Sequence, residues 1–157
     1  MVKKMAGECI LCRVADKRDL ASTVFEDHLI MACLHINPAA KGHTVIFPKK
    51  HTKAVEDLSV YLAGYLFSLV PSLARAIGLA TSCTAVNLRI DQYASGGQDL
   101  SHVHIHLVPR YTGDGLGLEL GNEPSLAVAR APDAAQKELE EVARDIRAKL
   151  GIPMREQ

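Results

Sequence analysis

Apolar residues gather in short strand-like stretches, two of which alternate with polar residues at period two, and they repeat at helical spacing in two longer segments. Residues 23–26 and 29–34 read as strands, with Asp27-His28 as the tight turn between them. After a loop, Asn37-Pro38-Ala39-Ala40-Lys41-Gly42, a third strand covers 43–47 and stops at Pro48. From 58 to 77, Leu62, Leu66, Leu69, Leu73 and Ile77 fall on one helical face. Pro71 lies inside that stripe, so the pattern predicts a kink or break near Val70, with Gly78 as the stop. In 83–91, Thr84, Val86, Leu88 and Ile90 alternate with Ala85, Asn87, Arg89 and Asp91, a fourth strand. A polar loop, 92–101, leads to a fifth strand that ends at Pro109. From Arg110 to about Arg130 the chain is first Gly-rich and then weakly patterned, which predicts mostly loop. A last helix follows: Asp133 and Gln136 have capping-box spacing, and Leu139, Val142, Ile146 and Leu150 form one stripe before Gly151. Antiparallel strands with two helices make an α+β domain.

The fifth strand changes the picture. It reads His102-Val103-His104-Ile105-His106-Leu107-Val108. Strict alternation predicts a half-buried strand, with the imidazoles on one face and Val103, Ile105 and Leu107 in the core. Histidine is not needed there for packing. Three in register form an array that titrates near neutral pH, attacks electrophiles and binds metals. The plainer alternatives are a histidine-rich surface strand or a simple metal patch.

Composition narrows the partners. At 157 residues the chain fits one domain, and its 48% hydrophobic and 23% charged content is that of an ordinary globular protein. With 18 basic and 18 acidic residues the formal net charge is zero, which argues against broad electrostatic binding to nucleic acid or an anionic membrane. Small phosphorylated ligands need only a local anion site. No signal peptide and no apolar stretch of about 18 residues is evident, so the expected setting is the cytoplasm.

There, Cys9-Ile10-Leu11-Cys12 reads as metal ligands or a redox pair, with two buried thiols as the alternative. The spacing allows two thiolates on one tetrahedral zinc, which two histidines would complete. Pro48-Lys49-Lys50-His51 is by composition a surface turn, and His43 a satisfied core or edge residue. Gly96-Gly97 ahead of the triad either forms an ordinary turn or brings backbone N–H groups to an anion.

Together, and in this order, these segments resemble the histidine triad (HIT) superfamily. The His-φ-His-φ-His-φ-φ signature, with φ apolar, matches 102–108. Phe25-Glu26-Asp27, Lys41-Gly42-His43, Pro48-Lys49-Lys50-His51, Gly97-Gln98 and Pro109-Arg110 stand in family order and spacing. The likeness covers about 9–115, so 1–115 is expected to be the HIT domain and 116–157 a C-terminal extension whose helix packs on it. It implies an antiparallel sheet of about five strands with a long central helix and a C-terminal helix. It also implies a nucleotidyl hydrolase or transferase that cleaves a nucleoside phosphoramidate or (di)nucleoside polyphosphate at the α-phosphorus. His104 would be the nucleophile, His106 would donate to phosphate oxygens, and Gln98 would stand near the scissile bridge. His43, Gly97 and Asp99 would line the phosphate site. Zinc-carrying members of this type imply one structural zinc per chain on Cys9, Cys12, His51 and His102, and many members are homodimers.

Three positions depart from the common pattern. An acidic residue that usually holds the ribose hydroxyls is replaced by His35, an Asn by Asp91, and a Ser or Thr by Asp99. Carboxylates near a phosphate repel it when ionised. Asp99 is therefore either a protonated general acid to the leaving group or a cap on its own loop. The departures leave a second reading beside the enzyme, a nucleotide-binding regulatory protein with vestigial catalysis. A zinc-stabilised interaction protein without nucleotide is a third.

Overall fold

The computed structural model describes residues 9–116 and 133–152. A short helix α1 (Ile10–Ala15) precedes strands β1 (Thr23–Glu26), β2 (Ile30–Leu34) and β3 (Thr44–Pro48). The long helix α2 (Val60–Thr81) leads to β4 (Ala85–Arg89) and β5 (Ile105–Arg110), and α3 (Asp133–Leu150) comes last. The strands form one antiparallel sheet in the order β1-β2-β3-β5-β4. This is the expected α+β architecture.

Asp27 closes the first hairpin. One carboxylate oxygen accepts from the amides of Leu29 and Ile30, and the other from the Tyr65 hydroxyl on α2. Strand parity then divides the sheet into two layers. Ile30, Ala32, Leu34, Ile46, Ile105 and Leu107 face the helices. There they meet Leu66, Leu69, Leu73 and Ile77 of α2, and Val142, Ala143, Ile146 and Leu150 of α3. On the opposite face Met31, Cys33, Val45 and Phe47 are covered by Leu11, Val14 and Ala15 of α1.

That second layer corrects the expectation for the histidine strand. It is not half-buried: Val103, Ile105 and Leu107 are buried, and so are His102, His104 and His106. The alternation survives as a choice between two covered faces: Cys9 and Cys12 stand against His102, and His106 packs against His35, His43 and His104. Only His106 lies within β5; His102 and His104 are on the segment entering it.

Pro71 does not break α2, which runs unbroken through it. Proline removes one amide bond to the carbonyl four residues earlier, here that of Phe67, which is 45% exposed and can be hydrated. Gly78 is not the stop either. The helix continues to Thr81 and closes on Ser82, whose left-handed backbone returns its amide to the Gly78 carbonyl. Contrary to the reading that no segment is apolar enough, α2 has the length and mean hydropathy (1.4) of a membrane-spanning helix. Its apolar stripe is packed on the sheet. Gly42 shows where glycine is required: φ is +91°, and a Cβ there would stand 2.7 Å from Thr81 Cγ2.

The loop expected over 110–130 lies mostly outside the described residues, as does the Asp133 side chain on which the predicted cap depends. Gln136 donates to Ser22 Oγ at 3.0 Å, tying α3 to the start of β1.

Candidate active site and metal centre

Two clusters meet at His102. The first gathers Cys9 at the start of α1, Cys12 within it, His51 after β3 and His102 before β5. Their ligand atoms all lie within 4.8 Å of one another. Cys9 Sγ is 3.3 Å and Cys12 Sγ 3.6 Å from His102 Nδ1, and Cys12 Sγ is 3.2 Å from His51 Nδ1. Metal–ligand bonds of about 2.0–2.3 Å at tetrahedral angles separate neighbouring ligands by roughly 3.3–3.8 Å, so the cluster has the dimensions of a closed zinc site. The donor set agrees. His102 Nε2 donates to the Pro48 carbonyl at 2.8 Å, which leaves the Nδ1 lone pair facing the sulfurs. Burial, and then the neighbouring Cys9, push the Cys12 thiol up to about 11. A cation between the sulfurs would reverse that resistance to ionisation. Residues four strands and loops apart thus supply two S and two N donors, as the CxxC spacing and the family likeness implied.

The second cluster lies on the same sheet face. Register places His106 opposite Val45 of β3 and Arg89 of β4, and brings His35 and His43, at the facing ends of β2 and β3, close beside it. Hydrogen bonds fix each tautomer, since a carbonyl only accepts and an amide only donates. His104 Nδ1 is 2.7 Å from the His102 carbonyl, so Nδ1 carries the proton and Nε2 a free lone pair. The Ala39 amide donates to His43 Nδ1 at 3.2 Å, so His43 carries its proton on Nε2. That proton points at His106 Nδ1, 3.0 Å away, which places the remaining proton of His106 on Nε2. The array is therefore one unprotonated nitrogen on His104 beside an N–H donor on His106, with ring centroids 4.8 Å apart.

Burial keeps the supporting rings neutral. It is the leading cause in lowering His35 to about 4, His43 to about 2, His106 to about 3 and His102 to about 4. Neutral imidazoles are what both nucleophilic attack and zinc ligation require.

The remaining expected residues are placed less directly. Asp99 is beside the nucleophile, with Oδ1 3.8 Å from His104 Nε2. Gln98 has both polar ends engaged, accepting from the Tyr93 amide of its own loop at 2.7 Å and donating to the Lys53 carbonyl of the segment after β3 at 2.9 Å. The amides of Gly96, Gly97 and Gln98 are likewise bonded within the loop, so they are not free to face an anion in this conformation. Asp91 is paired with Arg89, Nε to Oδ2 at 2.7 Å, so its charge is balanced. Arg89 was not singled out from the sequence. It stands across from His106, and its Nη2 is 3.5 Å from where a Cβ on Gly97 would lie. Its phase with Asp91 was visible, but the strand register that brings it to the histidines was not.

The comparisons agree with this arrangement. The family model for the HIT domain matches residues 17–113, well over half of the chain. The chain is similar to "Protein hit" of Bacillus subtilis, 35% identical over 113 residues that cover 71% of this chain and 78% of that one. It is 30% identical to adenylylsulfatase HINT3 of Arabidopsis thaliana over 106 residues, 68% of this chain and 54% of that one. Its fold matches the crystal structure of a zinc-bound histidine triad family protein from Mycobacterium smegmatis, with a TM-score of 0.74 and 28% identity, covering 91% of this chain and 93% of the other. Triad, sheet and sequence likeness converge, and the chain belongs to the histidine triad (HIT) family.

Proposed function

We propose that the chain is a nucleotidyl hydrolase or transferase that cleaves a nucleoside phosphoramidate or (di)nucleoside polyphosphate through a covalent nucleotidyl-His104. The observation that carries this reading is the His104 tautomer: the bond from Nδ1 to the His102 carbonyl leaves Nε2 unprotonated. In the first step the Nε2 lone pair forms an N–P bond to the α-phosphorus, and the bond to the leaving group breaks with its electron pair, the leaving atom taking up a proton as it departs. The positive charge that develops on the His104 ring is stabilised by the carbonyl at Nδ1. His106 donates its Nε2–H to a phosphate oxygen as charge builds there. In the second step a water oxygen, or another acceptor, attacks phosphorus and gives up its proton to solvent, while the N–P bond breaks with its electron pair returning to Nε2 and restoring the neutral imidazole.

The other residues serve these steps. His43 fixes the His106 tautomer. Gln98 acts by holding the loop that carries Gly97 and Asp99. Cys9, Cys12, His51 and His102 would hold a structural zinc, and the metal would fasten the residue whose carbonyl orients the nucleophile. The 116–157 extension belongs to the same unit, since α3 shares the core of α2 and the sheet. The chain works in the cytoplasm, where its thiols stay reduced, without nucleic-acid or membrane partners. It pairs as a homodimer through the edge strand β4 and the outer face of α2, where Leu88, Val60, Tyr61 and Phe67 are exposed.

The second reading, a nucleotide-binding regulator, is favoured by one observation: the Asp99 carboxylate, if ionised, would repel a phosphate approaching His104. Turnover decides. An adenosine or guanosine phosphoramidate should be hydrolysed, the denatured enzyme should carry one nucleotidyl group by mass, and His104→Asn should lose both. Tight nucleotide binding without turnover in the wild type would favour the regulator.

A further inference from the structure

His35 is the residue that the steps above do not use. It follows β2, directly across from His43, and is 1% exposed. Its Nδ1 accepts the Asn37 amide at 3.1 Å, so the proton of the neutral ring is on Nε2. Among the described residues, no hydrogen-bond acceptor meets that Nε2–H. A buried donor without a protein partner is rare in a folded chain and points to a partner from outside it. The ring lies in the reactive pocket. It stacks on His43 with centroids 4.5 Å apart and is 5.9 Å from His106. Asp99 and His104 are both close enough to act on its charge.

Two kinds of ligand fit such a cluster, and the hydrogen bonds separate them. His35, His43 and His106 each offer a nitrogen within 4.8 Å of the others, the spacing of a three-imidazole metal site. Nδ1 of His35 and Nδ1 of His43 are, however, occupied by the Asn37 and Ala39 amides, so their Nε2 atoms carry protons. A proton and a metal cannot share one lone pair. Metal binding at both rings would leave two backbone amides without acceptors. The cluster is an array of donors, suited to oxygen.

We propose that the Nε2–H of His35 donates to the sugar of the bound nucleotide, and that the site accepts ribonucleotides and deoxyribonucleotides alike. This rests on the nucleotide reading above. With phosphate at His104 and His106 on the β5 side, the ligand continues across the sheet in two directions. Toward β4 lies the charged pair Arg89 and Asp91. Toward β3 and β2 lie neutral stacked rings, and there an uncharged sugar fits better than a charged leaving group. A carboxylate at position 35 would accept from two hydroxyls and would be left partly unpaired by a sugar missing one. A single N–H needs one acceptor oxygen, which either hydroxyl supplies, so losing the other orphans nothing.

The test is equilibrium binding to the zinc-loaded full chain by calorimetry. The probes are adenosine 5′-monophosphate and guanosine 5′-monophosphate with their 2′-deoxy and 3′-deoxy analogues. Wild-type Kd values should agree within about threefold between each ribonucleotide and its deoxy forms. His35→Asp should separate them by about tenfold or more in favour of ribose, as expected when a charged acceptor loses a partner. His35→Asn, whose amide can still donate, should keep the ratio small. Tight wild-type binding with a ratio above about tenfold overturns this inference and leaves the nucleotide reading standing. Failure of all six monophosphates to bind overturns both. The wild-type ratio decides even if His35→Asp does not fold. Zinc analysis on the same samples should give one metal per chain; a second metal lost in His35→Asn would also overturn it.

Discussion

Acid should destabilise this fold through its buried imidazoles, and His35 allows the effect to be measured one ring at a time. A free histidine titrates near 6.5, whereas burial lowers His35 to about 4, His43 to about 2 and His106 to about 3. Below pH 6.5 the unfolded chain therefore binds protons that the folded chain does not, and stability falls as pH falls. The contribution is intact above 6.5 and is lost progressively down toward each folded value. At pH 5 each ring accounts for about 1.5 pH units at about 1.4 kcal/mol per unit, so about 2 kcal/mol apiece and about 6 kcal/mol for the three. That is comparable to the whole stability of a small domain. Asp99, from the loop over the site, favours the charged form of His35 and His106 and moderates the loss. Urea unfolding of the wild type and of His35→Asn, each at pH 8 and pH 5, isolates one ring. The fall in stability between the two pH values should be smaller in the variant by about 2 kcal/mol. Zinc loss in acid affects both proteins and cancels. Equal falls would show that His35 is not buried neutral, and the tautomer argument would fail with it.

Two further outcomes are expected. Chelation of zinc, or Cys12→Ser, should lower stability by several kcal/mol and reduce turnover, because in the proposed site His102 is a zinc ligand and its carbonyl holds the His104 proton. Thermal melting and metal analysis check the first effect, and full activity in the metal-free protein would refute the second. Leu88→Asp places a charge on the exposed edge strand and should shift the protein from dimer to monomer by light scattering, leaving its helical circular dichroism unchanged.

Much of the fold was legible because its signals are local. The Asp27 turn, the five strand-like stretches and the two apolar stripes each depend on residues a few positions apart. The errors arose where backbone bonding or a distant segment, rather than residue type, decides the outcome. Pro71 lies inside an unbroken α2, and the carbonyl it orphans belongs to the exposed Phe67. Gly78 is passed over because Ser82 supplies the left-handed cap. The histidine strand is buried on both faces because residues far away in the chain meet the second one, Cys9 and Cys12 at His102 and His35 and His43 at His106.

The site divides in the same way. The sequence by itself determined which side chains carry chemistry: three histidines in one register, a CxxC pair, and departures at His35, Asp91 and Asp99. The roles proposed for them came from the family likeness, and what only the tertiary structure decided is which nitrogen of each neutral ring bears its proton. That in turn depends on whether a carbonyl or an amide lies beside it. The carbonyls of His102 and Pro48 and the amides of Ala39 and Asn37 make those choices here. They are backbone groups with no signature in residue type, brought to the rings by strand register and loop closure.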